Sequence, residues 1–110
     1  MKVTYTTKNG RMSTEIEGDS QRDIFAGIAE FQEVFEQSKC GKCGSEDIQF
    51  VVRTVDDNEY YELRCRACGA RLSFGAHKKG GGLFPKRKDG DNWLPDGGWV
   101  KWNAKTQTNE

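Results

Sequence analysis

The chain has four cysteines, and they fall into two matching pairs, Cys40-Gly-Lys-Cys43-Gly and Cys65-Arg-Ala-Cys68-Gly, with twenty-one residues between Cys43 and Cys65. Two thiolates spaced by two residues can both reach one ion at about 2.3 Å, and two such pairs complete a tetrahedral four-thiolate site. Gly44 and Gly69 each follow a pair directly. A tight turn is expected there, because glycine takes positive φ without steric cost. Any fold open to this chain must bring residues 40–43 against residues 65–68.

The intervening residues can do this. Residues 47–55 and 59–65 are β-branched and aromatic runs separated by Asp56-Asp57-Asn58, so an antiparallel hairpin is expected. If Val52 lies opposite Leu63, then Phe50, Val52, Thr54, Tyr61, Leu63 and Cys65 share one face and Arg53 meets Glu62 on the other.

Two cysteine knuckles joined by a hairpin resemble a zinc ribbon, over residues 38–75. The resemblance implies one structural zinc ion held by Cys40, Cys43, Cys65 and Cys68. Zinc ribbons usually serve as contact modules for nucleic acid or protein. The C-x-x-C-G pairs are also similar to the knuckles of rubredoxin, where four thiolates hold a redox iron, and ligand type alone does not separate the two metals. Zinc is the expected ion, because the arginines around the second pair have no evident part in an electron carrier.

A chain of 110 residues with 35% hydrophobic content has room for one small fold, to whose stability a metal would contribute. No apolar run approaches a membrane span, and the first residues lack the core of a secretory signal, so a cytoplasmic protein is expected. In a reducing compartment four metal-bound thiolates are favoured over two disulfides, which remain the competing use of the cysteines.

The formal net charge is zero, yet the charges are segregated. No acidic residue occurs from Leu63 to Lys88, while seven carboxylates between Glu15 and Glu36 face a single Arg22.

Taken in order, Asn9-Gly10 between two alternating segments marks a first hairpin, with Val3, Tyr5, Met12, Thr14 and Ile16 on one face. Asp19 or Ser20 can cap a helix running from Gln21 to about Gln37. Ile24, Ile28, Phe31 and Phe35 recur on it at helical spacing, widened by Phe25 and Val34. This stripe is expected to be core, with a docking face for another chain as the sharper alternative. Glu30, Glu33 and Glu36 are expected on a solvated face. Arg71 to Phe74 should add a third strand to the ribbon. Beyond Gly75, three consecutive glycines among Lys and Arg predict a mobile basic segment, and residues 105–110 are polar enough to be disordered.

The expected architecture is α+β: a β-hairpin plus helix over residues 1–37, a four-cysteine zinc ribbon over 38–75 and a flexible basic segment over 76–110. The last is expected to pack partly on the ribbon, giving one compact unit overall. With one histidine and its thiolates claimed by metal, the chain lacks the parts of a nucleophilic mechanism, and a four-thiolate site leaves no open position for a catalytic metal. A non-enzymatic protein is expected.

Nucleic acid, single-stranded DNA ahead of duplex, is the expected partner. The candidate contacts are Arg64, Arg66, Arg71, Phe74, His77, Lys78, Lys79, Phe84, Lys86, Arg87 and Lys88, which interleave cations for phosphates with rings for bases. The bland alternative is a solvated basic run, with Trp93, Trp99 and Trp102 as core. The other functional reading is a protein-interaction module that docks on a host or replication protein through the acidic helix or the ribbon. The combined architecture also resembles small accessory proteins of bacteriophage replication and recombination.

Overall fold

The computed structural model describes residues 1–109. It is an α+β fold in two compact units, Met1–Ser38 and Lys39–Glu110. Among the described residues no helix is long and apolar enough to cross a membrane.

In the first unit β1 (Lys2–Thr6) pairs antiparallel with β2 (Ser13–Glu17), with Val3 opposite Ile16 and Tyr5 opposite Thr14. The Asn9-Gly10 signal marks a hairpin with a wider loop than a two-residue turn. The Thr7 N–H donates to the Met12 carbonyl at 2.8 Å, which leaves residues 8–11 as the loop, with Gly10 at φ 74°. Asn9 holds that loop from within: its Oδ1 accepts from the Thr7 hydroxyl at 2.6 Å and the Arg11 N–H at 3.0 Å.

Helix α1 (Gln21–Phe35) is capped by Ser20, whose hydroxyl accepts from the Asp23 N–H, while the Asp23 carboxylate accepts from the Asp19 N–H. Ile24 is buried, and Ile28, Phe31, Val34 and Phe35 are half-buried. Phe25 departs from the expected stripe and is 78% exposed. It sits about 100° around the helix from Ile24, on the side opposite Val34, so the sheet covers one flank and leaves the other open. Gly27 permits the close approach of helix and hairpin, since a Cβ there would lie 2.6 Å from Ile16 Cγ2. Glu36 is not part of a solvated face. Its carboxylate accepts from the Tyr5 hydroxyl and from the Lys8 N–H, tying the helix end to the hairpin.

The second unit is built on a four-stranded antiparallel sheet in the order β3 (Ile48–Val55), β4 (Asn58–Cys65), β5 (Arg71–Ala76), β6 (Leu83–Pro85). The β3–β4 register is shifted by two residues from the expected one: Val52 lies opposite Tyr61, and Phe50 opposite Leu63. The turn is the reason. Only Asp56 and Asp57 form it, both at positive φ (51° and 65°), and Asn58 belongs to β4. Because the shift is even, each residue keeps its predicted face, and Arg53 reaches Glu62 diagonally at 3.5 Å.

The last third of the chain corrects the expectation of a mobile tail. β6 extends the sheet, and the glycines form the turn that delivers it: Gly80 and Gly81 take positive φ, and the His77 N–H closes on the Gly82 carbonyl at 2.8 Å. Two further short hairpins follow, β7 (Lys88–Asp89) with β8 (Asn92–Trp93) and β9 (Trp102–Asn103) with β10 (Thr108–Asn109). Residues 105–109 thus form a turn and strand where disorder was expected; Glu110 lies outside the described residues. Gly98 returns to the sheet, where a Cβ on it would lie 3.2 Å from Leu72 Cδ1, and Leu63, Leu72, Phe74 and Trp99 are all buried.

Candidate metal centre

The two knuckles are built alike. In the first, the Gly44 N–H donates to the Cys40 carbonyl at 3.0 Å and the Cys40 N–H to the Ser45 carbonyl at 2.9 Å. In the second, Gly69 donates to Cys65 at 2.9 Å and Cys65 to Ala70 at 2.8 Å. Gly44 and Gly69 have φ of 76° and 81°, the left-handed conformation the sequence implied. β3 and β4 bring the knuckles together: Ile48 lies opposite Cys65, and the Arg66 N–H bonds the Asp47 carbonyl at 2.9 Å.

The four sulfurs form one cluster, all within 4.8 Å of one another. Cys40 Sγ lies 3.7 Å from Cys68 Sγ, and Cys43 Sγ 3.5 Å from Cys65 Sγ. A tetrahedron of sulfurs about 2.3 Å from a central ion has edges of about 3.8 Å, so the donor set fits a single tetrahedral metal ion. A disulfide would need about 2.05 Å, and all four thiols are free.

Cys40 and Cys65 are buried, Cys68 is half-buried and Cys43 is exposed. Burial pushes the Cys68 thiol up to about 12, with the neighbouring sulfurs acting in the same direction. Burial opposes ionisation of Cys65 too, but the backbone N–H groups of Cys68 and Ala67 and the Cys43 thiol bring it down to about 7. Four crowded sulfurs cannot all carry charge unless a cation shares the site.

Residues outside the two cysteine pairs complete the centre. Trp99 is fully buried against the first knuckle, where its Cδ1 would lie 2.5 Å from a Cβ on Gly41. Lys42, inside the same knuckle, pairs with Asp96 at 2.6 Å. Beside the second knuckle, Arg71 and Val100 exchange backbone bonds of 2.9 Å each way. The Gly41 between the cysteines and the buried tryptophan far along the chain were the available signals, but nothing in spacing alone joins them.

The candidate nucleic-acid residues do not form one surface. Phe74 is 8% exposed and belongs to the core. Phe84 lies over Gly75 and against His77, with ring centroids 4.9 Å apart, so its ring is committed within the protein. Arg87 donates to the Gly97 carbonyl at 2.7 Å, and Lys88 lies over the Trp93 ring at 4.3 Å. Lys78, Lys79 and Lys86 are exposed, and Arg66 reaches Asp47 at 3.9 Å. Trp93 and Trp102 are exposed, unlike Trp99.

The sheet does gather arginines on one face. Arg53, Arg64 and Arg71 share it with Gln49, Tyr60, Glu62 and Ser73, and Arg64 lies directly opposite Arg71. Glu62 is 4% exposed and takes Arg64 at 2.6 Å and Arg53 at 3.5 Å. Arg71 has no ion pair among the described residues. Comparison with known proteins adds no relative: no family model, curated protein or solved structure matches the chain, so the four-thiolate geometry alone carries the likeness to a zinc ribbon.

Proposed function

We propose that this chain is a non-enzymatic zinc protein that binds nucleic acid, single-stranded DNA ahead of duplex, through the arginine face of its four-stranded sheet. Zinc is preferred to iron because nothing around the thiolates suggests an electron-transfer role, while a closed four-thiolate site serves structure well. The observation that carries the binding proposal is the direct opposition of Arg64 and Arg71 on one sheet face. Like charges placed opposite one another destabilise a sheet, and a phosphate between them removes that cost. Glu62 neutralises one of the three guanidinium groups on this face and leaves it cationic.

Lys78 and Lys79 are exposed on the turn between β5 and β6, at the opposite end of β5 from Arg71. Tyr60 supplies a partly exposed ring on the same face. The tip of the β3–β4 hairpin, with Asp56, Asp57 and Glu59, is acidic and would lie away from a phosphate backbone. A cytoplasmic accessory to replication, recombination or transcription, of the kind bacteriophages encode, is the role this chemistry fits.

A salt-titrated anisotropy experiment with labelled single-stranded DNA, duplex DNA and RNA tests the proposal. About three phosphate contacts give a slope of roughly −2 for log K against log salt on a single strand, and Arg71→Gln should flatten it by about 0.7. If no nucleic acid binds at low salt, the proposal fails and the protein-interaction module takes its place.

A further inference from the structure

The four thiolates of the centre are not equivalent. Cys40 and Cys65 are buried and Cys68 is half-buried, whereas Cys43 is exposed. On the first knuckle Trp99 packs against Gly41 and the Lys42–Asp96 pair ties down the 95–98 turn, yet Cys43 stays exposed with this cover in place.

Hydrogen bonding divides the sulfurs in the same way. The Lys42 N–H donates to Cys40 Sγ at 3.3 Å, the Ala67 and Cys68 N–H groups donate to Cys65 Sγ, and the Ala70 N–H donates to Cys68 Sγ. Among the described residues no N–H donates to Cys43 Sγ. An N–H pointed at a thiolate stabilises its charge and lowers its nucleophilicity. Cys43 is therefore both the most accessible sulfur of the set and the most nucleophilic.

We infer that Cys43 is a modification site for peroxides, and that its oxidation, completed by Cys65, opens the centre and releases the ion. With hydrogen peroxide, Cys43 Sγ attacks one oxygen, the O–O bond breaks, and the other oxygen leaves as hydroxide, so that Cys43 becomes a sulfenic acid. Cys65 Sγ, 3.5 Å away, then attacks the sulfenic sulfur and expels a second hydroxide, which forms a Cys43–Cys65 disulfide. Two thiolates have passed two electrons to the peroxide bond, and the solvent protonates both hydroxides. Only Cys40 and Cys68 then remain as ligands, too few to hold a tetrahedral ion. The gap between Cys43 and Cys65 is shorter than the 3.7 Å between Cys40 and Cys68, and the bond that closes it joins the two knuckles. The inference rests on the zinc reading and is independent of nucleic-acid binding.

The test treats the zinc-loaded full chain with equimolar hydrogen peroxide, follows zinc with a chromophoric chelator, and maps disulfides by mass spectrometry after alkylation and tryptic digestion. Trypsin cuts after Lys39, Lys42, Arg64 and Arg66, so each cysteine falls on its own peptide and the connectivity is read directly. One zinc should be released for each disulfide formed, with Cys43–Cys65 as the main link, and dithiothreitol with added zinc should restore the loaded form. Cys43→His keeps a ligand of the three-cysteine, one-histidine kind and should slow the release roughly tenfold, while Cys68→His should not. If Cys43→His holds no zinc, the disulfide map of the natural chain still decides. Zinc held through the treatment overturns the inference, as does a first disulfide within either C-x-x-C pair. Native mass spectrometry before peroxide separates this from the metal reading, since a chain without zinc at that stage overturns both.

Discussion

Trp99 lies so close to Gly41 that a single methyl group on the glycine would sit 2.5 Å from the indole Cδ1 and 2.6 Å from the Asp96 carbonyl oxygen. The first knuckle is thus shaped to receive a side chain from the far end of the second unit. Gly41→Ala should force the indole or the 95–98 turn outward and destabilise the zinc-loaded protein by about 1 to 3 kcal/mol, an ordinary cost of overpacking. Denaturant unfolding with tryptophan emission checks this, and an unchanged midpoint would show that the contact yields freely.

Metal removal should have a larger effect. Apparent zinc-binding free energies of about 10 to 16 kcal/mol in finger peptides match or exceed the stability of a small domain, so a chelator should unfold at least the ribbon. Native mass spectrometry should find one zinc per chain. A red protein would establish iron instead, and two disulfides without metal would remove the centre altogether.

The helix offers a paired comparison. Ile24 is its one buried residue, so Ile24→Ala should cost about 2 to 5 kcal/mol, whereas Phe25→Ala, on the open flank, should stay within about 0.5 kcal/mol. A large loss at Phe25 would mean that another surface covers it.

Glu62 couples stability to binding. Glu62→Gln keeps the shape but weakens the bonds to Arg53 and Arg64, at a cost of about 1 to 3 kcal/mol by the scale of charge-assisted hydrogen bonds. It also adds one net positive charge to the proposed binding face. Nucleic-acid affinity should therefore rise while the melting temperature falls, and a parallel fall in both would argue that the face is structural.

Asp57 holds a left-handed conformation at φ 65°. Asp57→Gly should relieve that conformation and stabilise the hairpin by about 1 kcal/mol, measurable as a higher denaturation midpoint. A lower midpoint would show that the aspartate makes a compensating local interaction.

The sequence revealed those features that depend on short-range rules. Cysteine spacing, the glycines after each pair, the strand alternation and the helical stripe of Ile24, Ile28, Phe31 and Phe35 each follow from chemistry within a few residues. The β3–β4 register was missed by two because Asn58 reads as a turn residue, while backbone pairing recruits it to the strand. The last third was misread for a different reason. Its glycines and lysines suggest free chain, but Leu83, Phe84 and Pro85 find a sheet edge that exists only once β5 is in place. Composition also could not say which aromatic rings would be spent within the fold, and Phe74 and Phe84 were.

The cover over the first knuckle also bears on synthesis. Cys68, the last thiolate, leaves the ribosome before Trp99, with thirty residues between them. At about 5 to 20 residues per second, roughly two to six seconds pass in which a nascent chain can load its ion with one flank of the centre still bare. Stalled chains with a C-terminal spacer long enough to bring Cys68 but not Trp99 out of the ribosome should therefore react faster with a thiol-alkylating reagent than released protein does. Until Trp99 arrives, the first knuckle of a growing chain lacks its cover and is more open to metal exchange and to oxidants than in the finished molecule.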